Sequence, residues 1–268
     1  MIVFRNHQSR RFNRGTTDST HMATNPVGTA EMTISDAAKV NIARAGVYSF
    51  LSRAFKLEVD DSFLETVIDL EPTLRLLSES QGGKELKTGI HLFIDSIEKV
   101  RKLAGNVRKS ALTDLAAEYA TLFLGVGEKP VHLIESVHLG KDHLLYEEPY
   151  HEIMDAYKSL GFEKEKNFRE PEDHVGVEFD FMAALCRWTS RTLQDKDIKN
   201  SIAYLNLQKE FLRDHIMRWV PRMCQQLQDT ATSDFYKSLA QLTSGFIELD
   251  NNVPDHLTEI LKDSAPAK

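Results

Sequence analysis

Apolar positions along this chain recur every three or four residues from about residue 35 to residue 249, the period of a helix buried on one face. Val40, Val47, Leu51 and Phe55 mark a first helix that Ser35 and Asp36 can cap. Phe63, Leu64, Val67 and Ile68 mark a short second helix, opened by Asp61 and Ser62 and expected to stop before Pro72. Beyond the Gln81-Gly82-Gly83 break, Leu86, Ile90, Phe93, Ile94, Ile97 and Val100 line another, which ends near Gly105. Leu115, Tyr119, Leu122 and Phe123 line the next, with Thr113 and Asp114 before it and Gly125 as its closing glycine. Residues 125–149 lose the period and read as an ordered loop with one turn of helix. Helices resume over residues 149–160 up to Gly161, over 171–192, over 198–227 with a break at Pro221, and over 233–249.

No stretch alternates with period two between turn residues, as a strand would, and no 20–50-residue unit repeats. The chain therefore reads as all-α, a single globular helical domain of about eight or nine helices over residues 33–250. A disordered arm, poor in apolar residues, precedes it over residues 1–32, and residues 251–268 read as a tail.

The opening of the helix at residue 171 is the most informative stretch. Pro171 suits a first helical position, and Glu172 and Asp173 suit a first turn, where the helix dipole favours anions. His174 and Glu178 are four apart and share a face, beside an apolar stripe of Val175, Phe179, Met182 and Leu185. An Asp-His pair there has two readings, a structural hydrogen-bond network or the polar rim of a binding groove.

Charge sharpens the choice of partner. The net charge of −7 hides an asymmetry. Arg5, Arg10, Arg11 and Arg14 against Asp18 make residues 1–30 a +3 segment, which leaves −10 on the remainder. An acidic body disfavours nucleic acid and favours a basic partner. Ser9-Arg10-Arg11-Phe12 resembles the core of a twin-arginine export signal, but the apolar run of roughly 7–15 residues that such a signal needs does not follow. No window approaches the ~20 apolar residues of a membrane helix. Two cysteines, Cys186 and Cys224, in helical stripes without a CxxC pair, point to a reducing compartment.

Catalytic signatures are missing. There is no phosphate-binding glycine loop, no dinucleotide fingerprint and no nucleophile elbow. His132, Glu135 and His138, with His143 and His151 nearby, form the richest set of potential metal ligands, but histidines six apart do not share a helix face as zincin histidines do. Glu128 with His132 and Glu148 with His151 approach di-iron spacing only at proline-broken segments. A helical metal-dependent enzyme built on residues 128–151 stays as the alternative to a binding protein.

Several segments, in order, resemble one family. Glu118-Tyr119-Ala120-Thr121-Leu122-Phe123-Leu124-Gly125 is similar to the E-x-x-x-L-F-x-G helix end of the TorD/DmsD/NarJ-type chaperones. Pro130 followed by Glu135-Ser136-Val137-His138 is similar to their P…E-S-V-Y loop, with His138 in place of the aromatic. Glu170-Pro171-Glu172-Asp173-His174 matches their E-P-x-D-H signature and continues into Glu178 and Phe181-Met182. Phe211, His215, Trp219 and Pro221, then Phe235, Tyr236, Leu239 and Ala240, resemble their closing segments.

The resemblance implies a cytoplasmic chaperone, not an enzyme. Such proteins bind the twin-arginine signal peptide or the immature catalytic subunit of a molybdopterin-containing oxidoreductase, and delay its export until the cofactor is inserted. The chaperone then needs no cofactor of its own, since molybdopterin belongs to the client. The family includes monomers and domain-swapped homodimers, and weak guanine-nucleotide binding has been proposed for some members, though no motif here supports it. Neither nucleic-acid binding nor membrane insertion is implied. On this resemblance Asp173, His174 and Glu178 form the polar rim of the client site, with Glu170 and Pro171 shaping the helix mouth. Tyr119, Leu122 and Phe123 form its apolar floor, and Glu135 and His138 the neighbouring loop.

Overall fold

A computed structural model of the chain describes residues 32–79 and 83–263. The N-terminal arm, Met32 aside, lies outside the described residues. The helices are α1 (Ile34–Lys56), α2 (Asp61–Glu79), α3 (Lys84–Arg101), α4 (Gly105–Phe123), α5 (Glu135–Leu139), α6 (Glu148–Leu160), α7 (Val175–Gln194), α8 (Ile198–Phe211), α9 (Met217–Thr230), α10 (Asp234–Asp250) and α11 (Val253–Asp263). A π turn, Leu212–Ile216, joins α8 to α9. No strand occurs among the described residues, and one isolated antiparallel bridge pairs Ile134 with His174. The all-α class stands, with the short α5 and α11 adding to the helix count.

Helix α7 is the axis. It packs most extensively on α1 and then on α8, and it is buried on nearly every side, from Val175 through Phe179, Met182 and Leu185 to Leu193. A second layer pairs α3 with α10, and α10 with α9. Glycine permits the α3–α10 approach: a Cβ on Gly89 would stand 2.7 Å from the Leu242 backbone nitrogen, and one on Gly245 would stand 2.7 Å from Leu86 Cα. Aromatic rings join the layers, with Tyr48 of α1 set 5.9 Å from Phe179 and 5.0 Å from Phe246.

A buried polar knot ties α1, α7, α8 and α10 together. Arg44 makes a two-pronged contact with Asp250, Nε to Oδ1 at 2.6 Å and NH2 to Oδ2 at 2.8 Å, and Tyr48 donates to Asp250 Oδ2 at 2.7 Å. Arg44 also donates to Asn41 and Gln208, and Gln208 donates to Thr189. Burial opposes the charge on Arg44, but Asp250 outweighs it and holds the guanidinium's pKa above its ordinary value. A planar two-pronged donor suits such a closed site.

Several boundaries differ from the periodicity reading, each for a local reason. The cap of α1 is Thr33, whose hydroxyl accepts from the Asp36 N–H while Asp36 accepts from the Thr33 N–H, a capping box that begins two residues earlier than expected. Helix α2 runs through Pro72, because the buried Leu70 and Leu74 continue its apolar face on both sides of the proline. Helix α4 begins at Gly105, well before Thr113. The break near Pro221 is instead the π turn upstream of it, and α9 continues through the proline.

The tail expected over residues 251–268 is also corrected. Residues 253–263 form α11, which packs on α8 and buries Leu257 and Leu261 in a second apolar cluster with Ala37, Val40, Leu193 and Leu205. Leu261→Ala should therefore cost about 2–5 kcal/mol, as other fully buried leucines do. Urea denaturation measures it, and an unchanged midpoint would return this segment to the status of a tail.

Candidate functional site

Three of the family-like segments converge on one buried polar hub. Loop residues 131–136 lie against the turn before α7. The Glu135 N–H donates to the Asp173 carbonyl at 2.9 Å, the Val175 N–H donates to the Leu133 carbonyl at 2.8 Å, and the Ser136 N–H donates to Asp173 Oδ2 at 2.9 Å. The Asp173 side chain thus satisfies a donor at the start of α5. From the π turn, His215 Nδ1 stands 3.2 Å from both Glu135 oxygens, and Trp219 Nε1 of α9 points at Glu178 Oε2 from 3.4 Å. One extra residue in the π turn lets His215 and Trp219 serve the same hub.

Burial dominates the electrostatics. It pushes the Glu178 carboxyl well above the ordinary range, and the neighbouring Glu135 and Asp173 charges push it further. Glu135 is raised as well, by burial, although His215 pulls the other way, and Asp173 is raised by burial against its Ser136 hydrogen bonds. Asp173 Oδ1 and Glu178 Oε1 have no protein donor among the described residues, which favours neutral acid over carboxylate.

His174 is the N-cap of α7. Its Nδ1 accepts from the Gly176 N–H at 3.0 Å, which leaves the ring proton on Nε2. Burial, then Lys56 and Lys164, depress its pKa to about 3. The expectation that Pro171 opens this helix is corrected. Pro171 is buried in the preceding turn, whose carbonyl accepts from the His174 N–H at 3.2 Å, so Glu172 and Asp173 precede the helix. Glu172 is held by Tyr150 at 3.0 Å and Lys164 at 3.2 Å.

The rim and floor assignments change accordingly. Asp173, Glu178 and Glu135 are fully buried and His174 nearly so, which gives them no surface on which to meet a solvated partner. Their surroundings match the structural-network reading. Tyr119 and Leu122 are core residues rather than an open floor, with the Tyr119 hydroxyl donating to the Phe55 carbonyl at 3.0 Å. Phe123 is half-buried against Phe55, Tyr119 and Tyr236. Glu170 is exposed, and His138 is half-buried with its ring 4.9 Å from Trp219. Glu118 of the first motif caps α10, accepting from the Thr232 N–H at 2.6 Å and the Ser233 N–H at 2.9 Å.

The exposed surface of this part of the chain is less polar than the motifs suggest. Leu144, Leu145 and Tyr146 are exposed on the loop before α6, and Leu124 and Val126 are exposed where α4 ends. Sequence reasoning missed all five, because a loop without periodicity does not announce which way its side chains face. The loop is held tightly: Glu147 accepts from the Asp142 N–H at 3.0 Å and the Leu144 N–H at 2.6 Å, and His143 and Tyr146 adopt left-handed backbone at φ 57° and 65°. Such backbone is unusual outside glycine and recurs at functional sites. Beside it, a groove of about 570 Å³ runs between residues 129–143 and α9.

Among the described residues no group of three or more His, Cys, Asp or Glu is arranged to hold a metal ion. His138 Nε2 is turned to the His132 carbonyl at 2.8 Å and His143 Nδ1 to the Val137 carbonyl at 3.0 Å, so these rings do not converge on a common point.

Residues 84–225, more than half of the chain, match the family described as nitrate reductase delta subunit. The chain belongs to this family, the NarJ/TorD type. It is similar to the chaperone protein TorD of Vibrio parahaemolyticus, 26% identical over 213 residues that cover 79% of this chain and 94% of that protein. The TorD of Vibrio vulnificus strain YJ016 is 27% identical over the same shares, and that of Photobacterium profundum is 26% identical over 78% of this chain and 93% of its own. The all-helical chain and the ordered motifs agree with this membership. Among the described residues no helix is long and apolar enough to cross a membrane.

The hub sets a pH signature for folding. A carboxyl raised above its unfolded value of about 4.3 stabilises fully below that value and loses its contribution as pH rises beyond it. His174, depressed to about 3, acts oppositely: its contribution is full above its ordinary value and fades as pH falls from about 6.5 towards 3. Glu178→Gln keeps the shape and removes the first titration. Its melting temperature relative to wild type should rise steadily from pH 5 to pH 8 in thermal melts, and a constant offset would show that Glu178 does not titrate in this window.

Proposed function

We propose that this chain is a cytoplasmic redox-enzyme maturation chaperone. It holds the twin-arginine signal peptide, or the immature catalytic subunit, of a molybdopterin-containing oxidoreductase, and so delays export until the cofactor is in place. Family membership supports the maturation role, and the relatives' name supports chaperoning rather than catalysis. The observation that carries the binding mode is the concentration of exposed apolar side chains between residues 124 and 146. Leu144 at 62% and Tyr146 at 54% exposure leave large apolar area in water.

A twin-arginine peptide offers an apolar stretch and two guanidiniums. The stretch lies against Leu144, Leu145 and Tyr146. The arginines reach the exposed carboxylates of α6, Glu148 and Glu152, next to Tyr146, whose ring packs edge-on against Tyr150 of the same helix. Exposed Glu170 is a further carboxylate on the same chain region as Glu172, which Tyr150 anchors. Asp173, His174, Glu178 and Glu135 act here as positioning residues: they fix the loop and the mouth of α7 rather than touching the client. Tyr119, Leu122 and Phe123 anchor the end of α4, where the Leu122 carbonyl accepts from the Val131 N–H at 2.7 Å.

A labelled peptide carrying Ser-Arg-Arg and an apolar run of about twelve residues tests this reading by fluorescence anisotropy. Leu144→Asp/Leu145→Asp should weaken binding about tenfold or more, the equivalent of about 1.4 kcal/mol or more, with an unchanged melting temperature. Equal affinity in a well-folded double variant would place the client elsewhere.

A further inference from the structure

The groove beside the apolar loop carries the opposite charge from the body of the protein. Lys129, His132, His138, His143 and Arg222 line it, with one acid, Asp229, that already accepts from Gln225 Nε2 at 3.0 Å. The whole chain has 40 acidic residues against 33 Lys and Arg, so a cationic trough is not what its composition would place there. Neither Lys129 nor Arg222, both lining the groove, forms an ion pair with another described residue. Two cations of one groove are thus uncommitted.

The histidines are pre-oriented. Main-chain carbonyls of His132 and Val137 engage His138 Nε2 and His143 Nδ1, and each ring keeps its second nitrogen free of any protein partner among the described residues. Trp219 supports the His138 ring from below. Pro130, Val131 and Val137 supply apolar wall. A trough with apolar walls and cationic edges matches an extended peptide that alternates apolar and acidic residues. It repels the basic end of a twin-arginine peptide.

We propose that the groove between residues 129–143 and α9 is a docking site for an acidic peptide segment of the partner protein, separate from the surface that takes the partner's arginines. The inference rests on the client-holding reading for its partner, but its chemistry is independent of where the arginines go. His143 lines the groove and Leu144 begins the apolar loop, so groove and loop adjoin through consecutive residues. A client whose basic leader is followed by an acidic stretch would engage both ends in a single orientation.

Proton linkage gives a distinctive signature. Burial chiefly, and then the fields of His132, Arg222 and His143, hold the His138 pKa below its ordinary value. Lys129 and Asp229 are the other charged groups lining the same groove. Carboxylates seated among them offset the cationic field, so binding takes up protons and tightens as pH falls from about 7.5 to about 6.

The test uses the full chain and three labelled dodecapeptides of alternating leucine with glutamate, glutamine or lysine, with inorganic pyrophosphate as competitor. The glutamate peptide should bind, the other two should bind at least about tenfold more weakly, and Lys129→Gln/Arg222→Gln should lower glutamate-peptide affinity about tenfold. Raising salt from about 0.05 M to about 0.5 M should weaken it further. Calorimetry in buffers of different ionisation enthalpy should register the proton uptake. The same double variant should bind the Ser-Arg-Arg peptide at least as well as wild type, so a failure of the groove and a failure of the client reading are told apart. Equal binding of the glutamine peptide would make the groove merely apolar, and pyrophosphate binding tighter than the peptide would assign it to a small phosphorylated ligand. Self-association that the variant abolishes would assign it to the acidic body of a second copy. Each of these outcomes overturns the proposal.

Discussion

The burial of acidic groups at the mouth of α7 is the constraint around which this surface is organised. A carboxyl can leave water only if it finds donors or accepts a proton. Asp173 finds the Ser136 N–H, Glu135 finds His215, and Glu178 faces the Trp219 indole N–H while burial raises its pKa. Those solutions require loop residues 131–136, the π turn and α9 to stand in one arrangement around α7. Removing one member leaves the others buried without a partner, which is why such networks specify geometry more than they add net stability.

The division of labour that follows is between a hidden scaffold and an exposed face. The motif residues hold the loop in place from beneath. The parts that meet solvent are less distinctive in sequence: three consecutive apolar side chains, the acids of α6 and the cations along α9. The proposed client surface joins apolar side chains to groups of both charge signs, which would let it discriminate the orientation of a partner that carries both. His138 and Trp219 stand at the meeting of the two levels, one ring facing the groove and the other facing Glu178.

Much of the fold is legible in the spacing of apolar residues, because a helix repeats locally and needs no knowledge of its neighbours. The ends at Gly125 and Gly161 are legible for the same reason, since both glycines adopt the left-handed backbone expected after a helix, at φ 72° and 64°. Features that depend on distant partners are not. Nothing near residue 135 announces a histidine 80 positions later in the chain, and an Asp-His pair looks alike whether it faces solvent or a neighbouring loop. Pro72 and Pro221 read as breaks, yet packing on both sides carries each helix through. Helix α11 escaped because its few apolar residues make sense only against α1 and α8.

The pairing of Arg44 with Asp250 has a consequence for how this protein is made. The two partners are separated by 206 residues, so the guanidinium emerges from the ribosome long before its carboxylate. At ordinary synthesis rates the delay is on the order of ten to forty seconds. Within that interval α1 waits first for the α7 face against which it packs, and then for its buried counter-ion. The nascent domain thus waits for its last fifth before its centre can close, and for most of its own synthesis the chain lacks the ion pair that ties its layers together.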